Sequence, residues 1–234
     1  MEGVILAAGR GTRMRDLTRR TPKPLLKVQG RPILEWSLRA LRPAVERVLV
    51  VTGYLGGQIA ACMAQQDIFS DYALVEQSEQ LGTGHALRAC RDALTGRDFL
   101  VINGDDLFHA PSLRRLAATS AGVLAVQRQD GSPYGVLLKN RGGYLQRLHE
   151  KPPRGLYPPP LQVYVGACRL TRDVLDLPLQ LHPRRREYEL TQLVTDYAQT
   201  RAVSIVEADF WFPLGTPEDL AAAQSLDLER LMFA

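Results

Sequence analysis

Short apolar runs rich in β-branched residues recur along this 234-residue chain, separated by stretches whose apolar residues fall at helical spacing. A chain patterned this way covers both faces of a sheet by folding helices back over it. The expectation is therefore an α/β domain with a mostly parallel sheet and helices on both faces. Strands are predicted at Gly3–Ala8, Arg47–Thr52, Tyr72–Glu76, Phe99–Asn103 and Gly122–Gln127, then at Gly135–Lys139, Tyr144–His149, Leu161–Cys168 and Val203–Glu207. Helices are predicted at Pro32–Leu41, which opens on proline, around Gln58–Ala64, at Gly84–Leu94 beginning near His85, at Leu190–Gln199, and from Pro217 to about Arg230. The five prolines of Glu150–Pro160 make that stretch a loop, and Arg184-Arg185-Arg186 reads as a solvated turn.

At 45% apolar residues the chain can build a full core, yet no run approaches the ~18 apolar residues of a membrane span. The N-terminus enters the first strand with no basic-then-apolar leader, and three widely spaced cysteines (Cys62, Cys90, Cys168) read as reduced thiols. A cytoplasmic protein, with a homo-oligomer left open, is the expectation. The net charge of +4 is localised: Arg10 to Arg31 hold eight Lys/Arg against Asp16 alone, leaving 21 basic and 24 acidic residues elsewhere. A nucleic-acid face would interleave aromatics with its cations, and this segment has none, so no nucleic-acid partner is expected. The four histidines share no metal-ligand spacing, and no Ser-His-Asp order stands out.

The basic segment begins in a glycine loop at the end of the first strand, Gly9-Arg10-Gly11-Thr12-Arg13. A dinucleotide site needs G-x-G-x-x-G, but Met14 holds the third place, and the second strand ends Val51-Thr52-Gly53 without an acid for a ribose. A P-loop needs Gly-Lys-Ser/Thr, which is absent. What remains is Gly-x-Gly-Thr-Arg followed ten residues on by Pro22-Lys23-Pro24. Glycines let backbone N–H groups approach phosphate oxygens, Arg13 offers a planar fork and Lys23 a point charge. This is a polyphosphate cradle.

At this point the chain resembles the sugar-1-phosphate nucleotidyltransferases, most like the uridylyl and thymidylyl enzymes. The resemblance rests on LAAGRGTRM…TPKPLL at 6–26, LGTGHAL at 81–87 and NGDDLF at 103–108, with EKP at 150–152, EYELT at 187–191 and GTPEDL at 215–220. It implies a single Rossmann-like three-layer domain over 1–234, of the nucleotide-diphospho-sugar transferase type. The nucleotide-binding part would span about 1–110 and the sugar-binding part about 111–234, with no C-terminal β-helix. The implied reaction joins an NTP (UTP, or dTTP) to a sugar 1-phosphate with Mg²⁺ and releases pyrophosphate. The resemblance implies catalytic roles for Arg13, Lys23, Asp105 and Lys151, with Asp105 the metal ligand. Leu6, Ala8, Gly9, Gly11 and Thr12 would hold the nucleotide from one side, and Gln77, Gly82 and Thr83 from the other, Gln77 reading the base edge. Gly135, Glu150 and Glu187 would shape the sugar pocket, although Glu189 or Thr191 serves equally as a helix start. Asp106 fits either the site or a cap on the following turn.

One departure stands out. The family usually places an acid two residues before the glycine of the GTPEDL block, where this chain has Pro213. Either Asp209 or a backbone carbonyl substitutes, or Asp105 and the phosphates hold Mg²⁺ alone, or catalysis is lost. The second reading suits Mg²⁺, which accepts one or two carboxylates plus phosphates. The alternatives for function are a catalytically weak nucleotide-binding regulator, or a transferase using another NTP or a non-sugar phosphate acceptor.

Overall fold

The computed structural model describes residues 1–234. The chain begins with β1 (Glu2–Leu6), two short 3₁₀ turns (Thr12–Thr18 and Lys23–Leu25), the small ribbon β2 (Lys27–Val28) and β3 (Arg31–Pro32), and α1 (Ile33–Leu41). There follow β4 (Arg47–Thr52), α2 (Gly56–Gln65), β5 (Tyr72–Glu76), α3 (Thr83–Ala89), β6 (Asp98–Asn103), β7 (Asp106–Phe108) and α4 (Ala110–Ala117). The second half runs β8 (Gly122–Arg128), β9 (Gly135–Lys139), β10 (Leu145–Glu150), β11 (Leu161–Thr171), α5 (Leu190–Tyr197), β12 (Ser204–Glu207), β13 (Trp211–Pro213), α6 (Pro217–Ala223) and α7 (Leu228–Phe233).

Nine strands form one mixed sheet. Strands β6, β1, β4 and β5 lie parallel in that order, with Leu6 paired to both Val51 and Asn103. Strand β11 runs antiparallel to β6, β8 and β9 and joins the two halves of the chain into one sheet. The pleat sends Ile5, Val50, Ile102 and Ala167 to one face under α1, α2, α4 and the C-terminal helices. Val4, Val51, Val101 and Cys168 go to the other face, under α3 and α5. The result is a three-layer α/β domain with a core on each side of the sheet, and no helix is long and apolar enough to cross a membrane.

Several elements differ from the sequence expectation. Helix α4 was not anticipated, although Pro111 in its first turn and Leu113 and Leu116 on one side carry the signal. The helix expected from Pro217 to Arg230 is two: α6 ends at Ala223, and the Asp227 side chain accepts the Arg230 N–H to start α7. Helix α3 starts at Thr83, places His85 inside it and ends at Ala89 rather than Leu94. The antiparallel ribbon β7–β13, pairing Asp106 with Pro213, was also missed because each arm has only three residues.

Candidate active site

The carboxyl ends of β1, β4, β5 and β6 share one edge of the sheet, so the loops that follow them converge. The backbone of Leu6 and Ala8 builds this convergence: their carbonyls accept N–H bonds from Gly104 (3.0 Å) and Tyr54 (3.1 Å). A Cβ on Gly104 would lie 2.8 Å from Ile5 Cγ2 and 3.0 Å from the Leu6 carbonyl, so only glycine lets the chain turn toward β1 here. Asp105 is thereby placed beside the glycine loop.

In that loop Gly9 has no heavy atom within 4 Å of where its Cβ would sit, leaving the backbone open to a ligand. Gly11 is left-handed (φ 62°), and a Cβ there would come 2.9 Å from Lys23 Cβ. The missing methyl group makes room for Lys23, whose side chain is 6% exposed and whose Nζ donates to Asp105 Oδ2 at 2.6 Å. Lys23 is thus a fixed cation, not a flexible surface charge. Together Gly11, Thr12, Arg13, Lys23, Asp105 and Gly215 line a cavity of about 200 Å³. Arg13 is exposed at its mouth, and its Nη1 stands 3.5 Å from where a Gly215 Cβ would be. Gly215 is a site residue that sequence reasoning missed; its place just before the Thr216 helix cap was the available signal.

Asp106 is neither a ligand facing this cavity nor a helix cap. It opens β7, is buried, and accepts a bond from Trp211 Nε1 at 3.3 Å. Burial, and then the adjacent Asp105 charge, push its carboxyl up to about 7, against the pull of Lys23. Pro213 lies opposite Asp106 in the ribbon, so the place where the resemblance expected a second acid carries none. Asp209 does not substitute for it: its carboxylate is engaged by Arg115 Nη2 (2.7 Å) and Ser112 Oγ (3.4 Å), beside His109. Buried Ser112 and His109 with exposed Asp209 tie α4 to the segment between β12 and β13.

On the nucleotide side, Gln77 is buried rather than an exposed loop amide, with Nε2 3.0 Å from the Gly82 carbonyl and 3.1 Å from His85 Nδ1. The Gly82 loop is zipped to the segment before α5. Tyr188 N–H donates to the Leu81 carbonyl (2.7 Å), Gly84 N–H to the Tyr188 carbonyl (2.7 Å), and Leu190 N–H to Thr83 Oγ1 (3.0 Å). Gly82 is left-handed (φ 103°), with its missing Cβ 2.6 Å from the Tyr188 carbonyl and 3.0 Å from Glu187 Cβ. Thr83 therefore caps α5 from another element, and exposed Glu187 sits against the loop that carries Gly82.

On the sugar side, Gly135 pairs with both Tyr164 and Glu150, and a Cβ on it would come 3.2 Å from Glu150 Oε2. Burial pushes the Glu150 carboxyl up, with Lys151 pulling it back from 3.6 Å. Lys151 is half-exposed and left-handed (φ 47°), its N–H bonded to the Tyr134 carbonyl at 2.8 Å. Arg185 corrects the reading of its triplet as a solvated turn: it grips Glu189 with two N–H groups, one at 2.7 Å, while Arg184 and Arg186 are exposed.

A family model described as nucleotidyl transferase matches residues 2–230. The chain belongs to that family. A UTP–glucose-1-phosphate uridylyltransferase, AglF of Haloferax volcanii, is 30% identical over 96% of this chain and 95% of its own. The bifunctional protein GlmU of Methanococcus maripaludis is 29% identical over 99% of this chain but 56% of its own, so the chain spans about half the length of such relatives. A solved UDP-glucose pyrophosphorylase, complexed with UDP-glucose, superposes with TM-score 0.83 at 20% identity, covering 95% of this chain and 96% of that one. At that identity the likeness establishes the family's fold.

Proposed function

We propose that the protein transfers a nucleotidyl group from an NTP, UTP or dTTP, to a sugar 1-phosphate and releases pyrophosphate. A phosphate oxygen of the sugar phosphate attacks the α-phosphorus in line, the new P–O bond forms, and the bond to the β-phosphate oxygen breaks. Both partners are anions, so the protein's task is alignment and charge neutralisation rather than proton transfer. Arg13 and Lys23 stabilise the leaving pyrophosphate over the backbone of Gly9, Gly11 and Thr12, while Leu6 and Ala8 hold that backbone in place. Lys151 holds the attacking phosphate, Glu150 and Glu187 accept from sugar hydroxyls, and Gly135 lets the sugar lie close to the strand. Gln77 reads the base beside Gly82 and Thr83. Residues of about 1–110 thus serve the nucleotide and those of about 111–234 the sugar.

The donor set suits magnesium. Asp105 is a carboxylate one-third exposed at the cavity, and Mg²⁺ binds commonly through one or two carboxylates plus substrate phosphates. When bound, the ion neutralises phosphate charge. Asp105 would hold the ion while its Oδ2 accepts from Lys23 Nζ, so carboxylate and ammonium stand side by side in the cavity that would take the phosphates.

The observation that carries the reading is the convergence of Gly11, Arg13, Lys23 and Asp105 on one small cavity at the carboxyl ends of β1 and β6, where α/β sheets bind ligands. The test is pyrophosphate release with Mg²⁺, for UTP, dTTP, CTP, GTP and ATP each against a panel of sugar 1-phosphates. Turnover with one pair settles donor and acceptor together. Pro213 favours a second reading, a nucleotide-binding regulator of the same fold. Saturable UTP binding without release from any pair selects it.

A further inference from the structure

The surroundings of Gln77 fix which way round its amide faces. The Gly82 carbonyl can only accept, and it lies 3.0 Å from Gln77 Nε2. The opposite flip would bring two carbonyl oxygens to that distance, so the –NH₂ group belongs there. Its second N–H meets His85 Nδ1 at 3.1 Å, so that nitrogen must carry a lone pair and the ring proton must sit on Nε2. The ring is held by α3 and by stacking on Tyr188, with centroids 6.3 Å apart and planes 29° apart. Gln77 Oε1 takes no hydrogen bond from the protein, in a residue only 5% exposed.

We propose that His85 is a positioning residue for donor selection. By accepting the second amide N–H it commits Gln77 to present a lone acceptor, Oε1, and so restricts the donor to NTPs whose base carries an N–H between two carbonyls. Uracil and thymine have that imide edge. Cytosine turns a lone pair to the same place and is repelled. Without the Nδ1 acceptor, a buried amide N–H would lose its partner and the Gly82 carbonyl alone would oppose the flip, so the flipped side chain would be populated more. The inference rests on the reading of Gln77 as the base-recognising group.

Two substitutions separate the acceptor from the ring. His85→Phe keeps the stacking on Tyr188 and removes the acceptor, whereas His85→Asn keeps an acceptor near Nδ1 and removes the ring. The readout is kcat and KM for UTP and CTP with one sugar 1-phosphate. His85→Phe is expected to raise KM for UTP with little change in kcat, and to lower the UTP-over-CTP ratio of kcat/KM by roughly tenfold or more. His85→Asn is expected to hold that ratio. An unchanged ratio in His85→Phe, an equal loss in both variants, or an unmutated protein that uses CTP as well as UTP overturns the proposal. A readout needing no folded variant is ¹⁵N NMR of the His85 ring in the unmutated protein, where the Nε2–H tautomer supports the proposal and an Nδ1–H tautomer refutes it. If the unmutated protein releases pyrophosphate from no NTP, the transferase reading fails, and thermal-shift titrations with UTP and CTP read the same preference as binding.

Discussion

Lys23→Met removes one charge from the cavity and leaves nearly everything else in place. The thioether chain fills the volume of the lysine stem, which packs where Gly11 has no Cβ, so the loop keeps its shape. A unit charge ~4 Å from a phosphate oxygen at an effective dielectric of about 20 is worth ~4 kcal/mol. If most of that acts on charge developing on the leaving pyrophosphate, kcat falls by about 10³. Stability responds differently. Asp105, the partner left behind, is 34% exposed, so water replaces the ammonium and no sealed charge is stranded. A partly exposed pair of this kind is worth about 1 kcal/mol or less, or ~2–4 °C in Tm for a domain of this length. Steady-state pyrophosphate release and thermal unfolding, run on the same preparation, report the two quantities. Turnover within about tenfold of the parent would remove Lys23 from the transition state. A collapse in Tm together with the loss of turnover would make Lys23 a structural strut instead.

Asp105→Asn should abolish Mg²⁺-dependent turnover, and persistence of activity at ordinary Mg²⁺ would refute a metal held by that carboxylate alone. Pro213→Asp should lower the Mg²⁺ concentration for half-maximal turnover several-fold, whereas an unchanged titration places that side chain away from the ion. Asp106 has a folded pKa of about 7 against an ordinary 3.8, so folding favours its protonated form. Its contribution to stability is most favourable at low pH and is lost as pH rises between those values, by about 4 kcal/mol at most. Asp106→Asn should therefore show a smaller fall in Tm than the parent between pH 5 and pH 8.5, and parallel curves would contradict the assignment.

The parallel half of the fold was legible because β1, β4 and β6 are continuous apolar runs buried on both faces, a pattern only a covered sheet explains. The meeting of the glycine loop with the Pro-Lys-Pro segment was legible because Gly11 and Lys23 stand at a fixed spacing, and the structure brings them to adjacent positions. What escaped depended on side-chain partners that apolar periodicity does not reveal. Asp106 looks like any acid in a turn until Trp211, a hundred residues on, is found donating to it. Arg185 looks like a solvated charge until the fold of its own turn sets it against Glu189. His85 has no metal spacing to mark it, and its meaning comes from Gln77, just past the end of β5, meeting it in α3. The split between α6 and α7 was readable in principle, since Asp227 is a standard N-cap residue, but apolar periodicity runs across it and hides the break.

The two main-chain bonds and the Thr83 hydroxyl bond between residues 81–84 and 188–190 have a bearing on how such a protein can diverge. The strip beside Gln77 and the strip that carries Glu187 form a single jaw, stitched mostly by backbone. Lengthening either strip by one residue would slide the other out of step, so the lengths of the two strips are tied to each other. Variation in this region is therefore accessible through side chains such as His85, Glu187 and Glu189 at fixed loop length, and an insertion in one strip requires a matching change in the other.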